Sequence, residues 1–199
     1  MRKLYLGVGI RDFTYPVSRR DGVNKVRCPY YIKWKSMMDR GYSTSWKTKH
    51  KSYVGVSVCI EWHSFMKFRA WMITQDWQGK ELDKDILYPD NKIYSPDKCM
   101  FVTKKINTLL LDSFSSRGNL PVGVSFDKGS KKYRARVNYN GHTKNIGNFK
   151  TVAEAQTAYV IEKVKIITEA ISKTDDERIR KGLKRHIEKL ILSVAKKHL

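Results

Sequence analysis

The chain is short of acid. Its 199 residues hold 19 Asp and Glu against 40 Lys and Arg, a formal charge of +21. A surplus of that size repels itself in the compact state, so a polyanion is the natural partner to relieve it. Nucleic acid suits the role best, because neutralised phosphates release counterions and give affinity without any special fold. Cysteine is scarce as well. Cys28, Cys59 and Cys99 are an odd number with no CxxC spacing, a pattern that argues against a disulfide framework and for a reducing compartment. No apolar run approaches the length of a membrane span. Near the N-terminus, Arg11 and Asp12 interrupt a mildly apolar stretch too early for a signal peptide. The basic residues are spread along the chain rather than gathered on one amphipathic face, so a membrane surface is not expected as partner. A cytoplasmic, non-secreted protein is the expectation.

The patterning predicts an α+β protein in several parts. Residues 1–25 read as a basic, turn-rich N-terminal arm. Residues 26–112 form a mixed middle domain. It has a helix at Tyr31, Trp34 and Met38, a polar loop over 43–53, and a short β-rich run at Val54–Val58. A second helix carries Trp62, Phe65, Met66, Arg69 and Met72 on one face. A further helix is expected to open at Ser95-Pro96-Asp97, where proline suits a first turn. Residues 113–120 are the best linker candidate, being rich in Ser, Gly and Asn. Residues 121–173 predict three antiparallel strands and a helix. The strands are Val122–Phe126, Tyr133–Val137 and His142–Phe149, with Asn140-Gly141 as a hairpin signal. The motif Thr151-Val152-Ala153-Glu154 is a capping box that opens the helix. Residues 174–199 predict a basic amphipathic helix.

Alternation of side chains along a strand decides the faces of that sheet. Tyr133, Ala135 and Val137 turn toward the helix with Phe126 and Ile146. Arg134, Arg136 and Asn138 turn away, with Ser125, Asp127, Thr143 and Asn145 beside them. Arginine, asparagine, serine and threonine are the side chains that grip phosphates or read base edges. A merely solvated polar face is the bland alternative, and two arginines on alternate positions of so basic a chain tip the reading toward double-stranded DNA.

The stretches Gly123-Val124, Tyr133-Arg134-Ala135-Arg136-Val137, Ile146-Gly147-Asn148-Phe149 and Glu154-Ala155-Gln156-Thr157-Ala158-Tyr159 resemble the Apetala-type DNA-binding domain. The resemblance implies a sheet lying in the major groove. It places Ser125, Asp127, Arg136, Asn138, Thr143 and Asn145 where plant members contact DNA. Several of those plant positions hold arginine or tryptophan, so the target sequence does not carry over.

The middle domain has its own resemblance. Val58-Cys59-Ile60-Glu61-Trp62-His63, Leu82-Asp83-Lys84-Asp85, Asn91-Lys92-Ile93-Tyr94-Ser95-Pro96-Asp97 and Asn107 are similar to the HNH endonuclease-like proteins of bacteriophages. Those proteins are often fused to an Apetala-type module. The resemblance implies a ββα-metal unit of homing-endonuclease type, acting in the host cytoplasm. Asp83 and Asn107 would hold a divalent metal, Mg²⁺ or Mn²⁺, and Asn91 would pin the intervening turn. Such a metal stabilises the departing phosphate oxygens while a neighbouring base activates water.

Lys84 stands where that family has its general-base histidine, and lysine at its ordinary pKa is protonated at neutral pH. Lys84 could still act as base, His63 could substitute, or the unit could bind DNA without cutting it. For His63 the ordinary reading is a satisfied histidine at the core edge. A zinc site of Cys28, Cys59, His63 and Cys99 is conceivable, but buried structural thiols are the commoner outcome. The rival function is a non-catalytic DNA-binding or regulatory protein acting on a host enzyme or defence system. RNA binding is a third.

Overall fold

The computed structural model describes residues 4–110, 119–139 and 141–195 and shows a mixed α and β protein with small sheets and two long C-terminal helices. The chain divides into two compact units, Met1–Asp85 with Asp90–Val102, and Ile86–Pro89 with Thr103–Leu199. Among the described residues, no helix is long and apolar enough to cross a membrane.

In the first unit, strands β1 (Ser18–Asp21) and β2 (Asn24–Arg27) form an antiparallel hairpin. Helix α1 (Pro29–Tyr42) follows, with proline in its first turn, where the missing N–H would lack a helical partner anyway. Ser43 ends α1 and caps α2 (Thr44–Lys49) by accepting from the Trp46 amide. Strand β3 (Ser57–Val58) runs parallel to β5 (Ile93–Tyr94). Ser64 caps α3 (Phe65–Ile73). Strand β4 (Glu81–Asp83) pairs antiparallel with β6 (Met100–Val102). The core is aromatic: Trp34, Trp62, Phe65, Phe68 and Met72 are each no more than 1% exposed. Trp34 meets Phe65 edge-on at 5.9 Å, and its indole N–H donates to the Trp62 carbonyl at 2.8 Å, so burying that polar atom leaves no bond unmade.

The second unit begins with α4 (Lys104–Leu109), capped by Thr103. Strands β7 (Val124–Asp127), β8 (Lys132–Tyr139) and β9 (His142–Phe149) form one antiparallel sheet in sequence order. Thr151 and Glu154 make the reciprocal capping box that opens α5 (Val152–Ser172), which lies against the sheet. Gly123 permits the close approach. Its φ is +77°, and a Cβ there would sit 2.1 Å from the Tyr159 ring. Helix α6 (Glu177–Ala195) packs on α5, and the Gln156 amide donates to the Ser193 carbonyl at 3.4 Å. The strap Ile86–Pro89 crosses α6 at Gly182, where a Cβ would lie 2.2 Å from the Ile86 carbonyl oxygen. Arg185 fixes it further, donating to the Leu87 carbonyl at 2.7 Å and stacking its guanidinium over Tyr88.

Several expectations are corrected. Residues 1–25 are not simply an arm, since Tyr5, Val8, Phe13, Tyr15 and Val17 pack against the aromatic core. Asp12 accepts from the Ser64 hydroxyl and the Met66 amide, which fastens this segment to the start of α3. Within the expected loop over 43–53, Thr44–Lys49 form α2 and Lys51–Tyr53 a 3-10 turn. No helix opens at Ser95-Pro96-Asp97. The Ser95 hydroxyl bonds Asp97 and its carbonyl accepts from the Cys99 amide, which closes a turn leading into β6. The division into compact units falls after Val102. Residues 113–118 of the expected linker, and Asn140 of the hairpin signal, lie outside the described residues.

Candidate nucleic-acid interface

Register places the polar side chains of the three-stranded sheet. Ser125 pairs with Arg134 and Asp127 with Lys132 across β7–β8, while Arg136 pairs with Asn145 and Asn138 with Thr143 across β8–β9. Ala135 and Val137 are buried, whereas Arg136, Asn138, Thr143 and Asn145 are exposed. These four therefore share the face opposite α5. Their bonds to one another are light. Arg136 donates to the Ser125 hydroxyl at 3.4 Å, and the Thr143 hydroxyl donates to Asn138 at 2.7 Å.

Arg134 is held differently. It is only partly exposed, forms an ion pair with Asp127, and donates from Nε to the Asn148 side chain at 3.3 Å. Asp127 also accepts from the Ser130 hydroxyl at 3.0 Å and the Gly129 amide at 3.2 Å. Those bonds, Ser130 foremost, with the Arg134 guanidinium beside them, hold its carboxyl below the usual aspartate range. Asp127 thus organises the β7–β8 turn and orients Arg134. Phe126, expected to pack inward, is 49% exposed and leans edge-on against Tyr133 at 5.3 Å, because it sits on the edge strand.

The sequence reading missed Asn148. Strict alternation from Thr143 and Asn145 would turn Gly147 and Phe149 outward. A register shift after Ala135 leaves Ile146 unpaired, so Gly147 pairs with Ala135, Asn148 with Arg134 and Phe149 with Tyr133. This bulge moves Asn148 onto the polar face and Phe149 off it.

The Asp83 region is compact. Asp83 and Lys84, at the end of β4, are 9% and 5% exposed. The Asp83 carboxylate accepts from the Asp85 amide at 2.6 Å. Lys84 donates to both Asp85 carboxylate oxygens at 2.6 Å and to the Asn91 carbonyl at 2.8 Å. The Asn91 amide returns a bond to the Lys84 carbonyl and another to Ile93, each 2.8 Å, so its side chain ties the turn shut. These three bonds turn the Lys84 side chain onto its own loop. Asn107 is on α4, which belongs to the second unit, whereas Asp83 belongs to the first.

His63 bonds elsewhere. Its Nε2 meets the Tyr42 hydroxyl at 2.8 Å, and that hydroxyl also holds both backbone groups of Val58. Cys99 is buried, and burial pushes its thiol pKa up, as burial also does for the half-buried Cys59. Among the described residues, no three His, Cys, Asp or Glu side chains gather as a metal-holding group.

Comparison of the chain with protein-family models, with curated proteins and with solved structures finds no match.

Proposed function

We propose that this protein binds duplex DNA through the β7–β9 face turned away from α5. The observation that carries the reading is the exposed group Arg136, Asn138, Thr143 and Asn145, laid out by register on one face of a twisted antiparallel sheet. Arginine pairs bidentately with guanine and asparagine with adenine in the major groove, while hydroxyls bond to either base or phosphate. Arg134, steadied by Asp127 and Asn148, suits a phosphate contact, because a preoriented guanidinium loses less freedom on binding. The chain's net charge of +21 supplies the non-specific attraction.

A second reading adds phosphodiester cleavage of HNH type. It is favoured by the buried Asp83 carboxylate at the end of β4, in an antiparallel pair with β6. Asp83 offers oxygen donors, which suit Mg²⁺ or Mn²⁺, and such a cation needs only one or two carboxylates besides phosphate and water. When bound, it would stabilise the charge that develops on the leaving oxygen. Lys84 in this reading steadies the loop through Asp85 and Asn91.

Duplex binding followed by fluorescence anisotropy tests the first reading. Arg136→Ala should cost about 1–3 kcal/mol on a preferred sequence if the side chain reads a base. Equal loss on every sequence would make it a phosphate contact, and no loss would remove the sheet from the interface. Supercoiled plasmid with Mg²⁺ or Mn²⁺ tests the second. Nicking by the wild type that Asp83→Ala abolishes supports an endonuclease, and binding without nicking supports a regulatory DNA-binding protein.

A further inference from the structure

The β1–β2 hairpin has no part in the β7–β9 face or in the Asp83 region. All eight of its strand residues are exposed, and Val23 at the tip is fully so. Its two-residue turn has Gly22 in the first central position at φ +57°, the arrangement that matches the natural twist of a hairpin. The base is fixed: the Cys28 amide donates to the Val17 carbonyl at 2.8 Å, and both residues pack against the core of the first unit.

Register sorts its charges. Arg20 lies opposite Lys25 and Ser18 opposite Arg27, so these four share one face, while Arg19, Asp21, Asn24 and Val26 share the other. The first face therefore carries three cations and no carboxylate. Like charges directly across a strand pair are destabilising, and a two-stranded hairpin is marginal even without that cost. Among the described residues, none of Arg20, Lys25 and Arg27 forms an ion pair. The charge pattern works against the hairpin's own stability and complements a polyanion.

We propose that the β1–β2 ribbon is a second DNA-contacting element, which enters the major groove of a duplex with its Arg20, Lys25 and Arg27 face toward the phosphates. This rests on the duplex-DNA reading given above. The major groove, about 12 Å wide and about 8.5 Å deep, admits a two-stranded ribbon. Four residues at about 3.3 Å each make a ribbon about 13 Å long, enough for the tip at Val23 to reach the groove floor. The deep, narrow major groove of duplex RNA would not admit it.

The test uses the full chain, a DNA duplex carrying the sequence that the wild type prefers, an RNA duplex of the same sequence, and a salt series. The variant is Arg20→Ala with Lys25→Ala and Arg27→Ala. Because all three side chains are exposed, its melting temperature should match or slightly exceed that of the wild type. Its DNA affinity should fall at least tenfold at low salt. The slope of log K against log salt should become shallower by roughly 2–3, at about 0.9 for each phosphate that the ribbon no longer neutralises. The wild type should prefer the DNA duplex to the RNA duplex.

A triple variant with wild-type slope and affinity, alongside a weakened Arg136→Ala, overturns the ribbon and leaves the sheet standing. A weakened triple variant alongside a fully active Arg136→Ala supports the ribbon and removes the sheet. A wild type that does not bind the DNA duplex removes both.

Discussion

Lys163 should be replaceable by methionine with a gain in stability. It lies in α5 with Tyr159 and Val160 one turn before it and Ile166 and Ile167 one turn after, and all four are buried. Lys163 is itself 7% exposed, and burial among these apolar side chains pulls its pKa from 10.5 down to about 8. At 1.36 kcal/mol for each tenfold, that fall corresponds to about 3 kcal/mol of opposition to folding while the amine is charged. The sign follows from proton counting. Below pH 8 both folded and unfolded chains carry the proton, and the full cost is present. Between pH 8 and 10.5 the unfolded chain binds more protons, so stability rises with pH, and above 10.5 the cost is gone. Urea denaturation of the wild type and Lys163→Met at pH 7 and at pH 10.5 measures this. The variant should be more stable by about 2–3 kcal/mol at pH 7, and the difference should shrink at the higher pH. A variant that is less stable at pH 7, or whose advantage does not change with pH, would refute the assignment of Lys163 to an apolar interior.

Three further outcomes follow from the packing. Gly123→Ala would place a methyl group inside the Tyr159 ring and force a left-handed backbone on alanine. It should cost roughly 2–4 kcal/mol, read as a fall in melting temperature. Thr151→Ala removes half of a reciprocal cap and should cost about 1 kcal/mol in the same assay, with Thr151→Ser restoring most of it. Lys84→Ala strips the Asp85 carboxylate and the Asn91 carbonyl of their shared donor. A loss of about 1–3 kcal/mol is expected, and an unchanged melting curve would mean that Lys84 does not hold the loop.

Local rules carried much of the second unit. The capping box at Thr151 and Glu154, the alternation along β8, and the amphipathic run from Ile179 onward were legible because each depends on near neighbours in the chain. What could not be read depended on distant residues. The packing of Tyr5 and Phe13 onto the core shows no periodicity, since each reaches the core's aromatic rings from an irregular segment. Helix α2 is short and polar, stabilised by its Ser43 cap rather than by an apolar stripe. In β9 the bulge at Ile146 broke the period of two that the sequence rule assumes, which hid Asn148. For the candidate site, the positions of Arg136, Asn138, Thr143 and Asn145 on one face were legible. The capture of Arg134 by Asp127 was not, because it needs two strands in register. Lys84 stood out by residue type alone, and only the structure showed its charge turned onto Asp85.

Chemical protection of guanine N7 in a bound duplex asks most plainly where the sheet goes, because that atom faces the major groove. Duplexes that the wild-type protein enriches from a random pool should show a short block of protected guanines. Arg136→Ala should lose protection at one position of that block while neighbouring positions persist. Uniform reactivity across the bound duplex, or a pattern that Arg136→Ala leaves intact, would contradict the placement of this sheet in the groove.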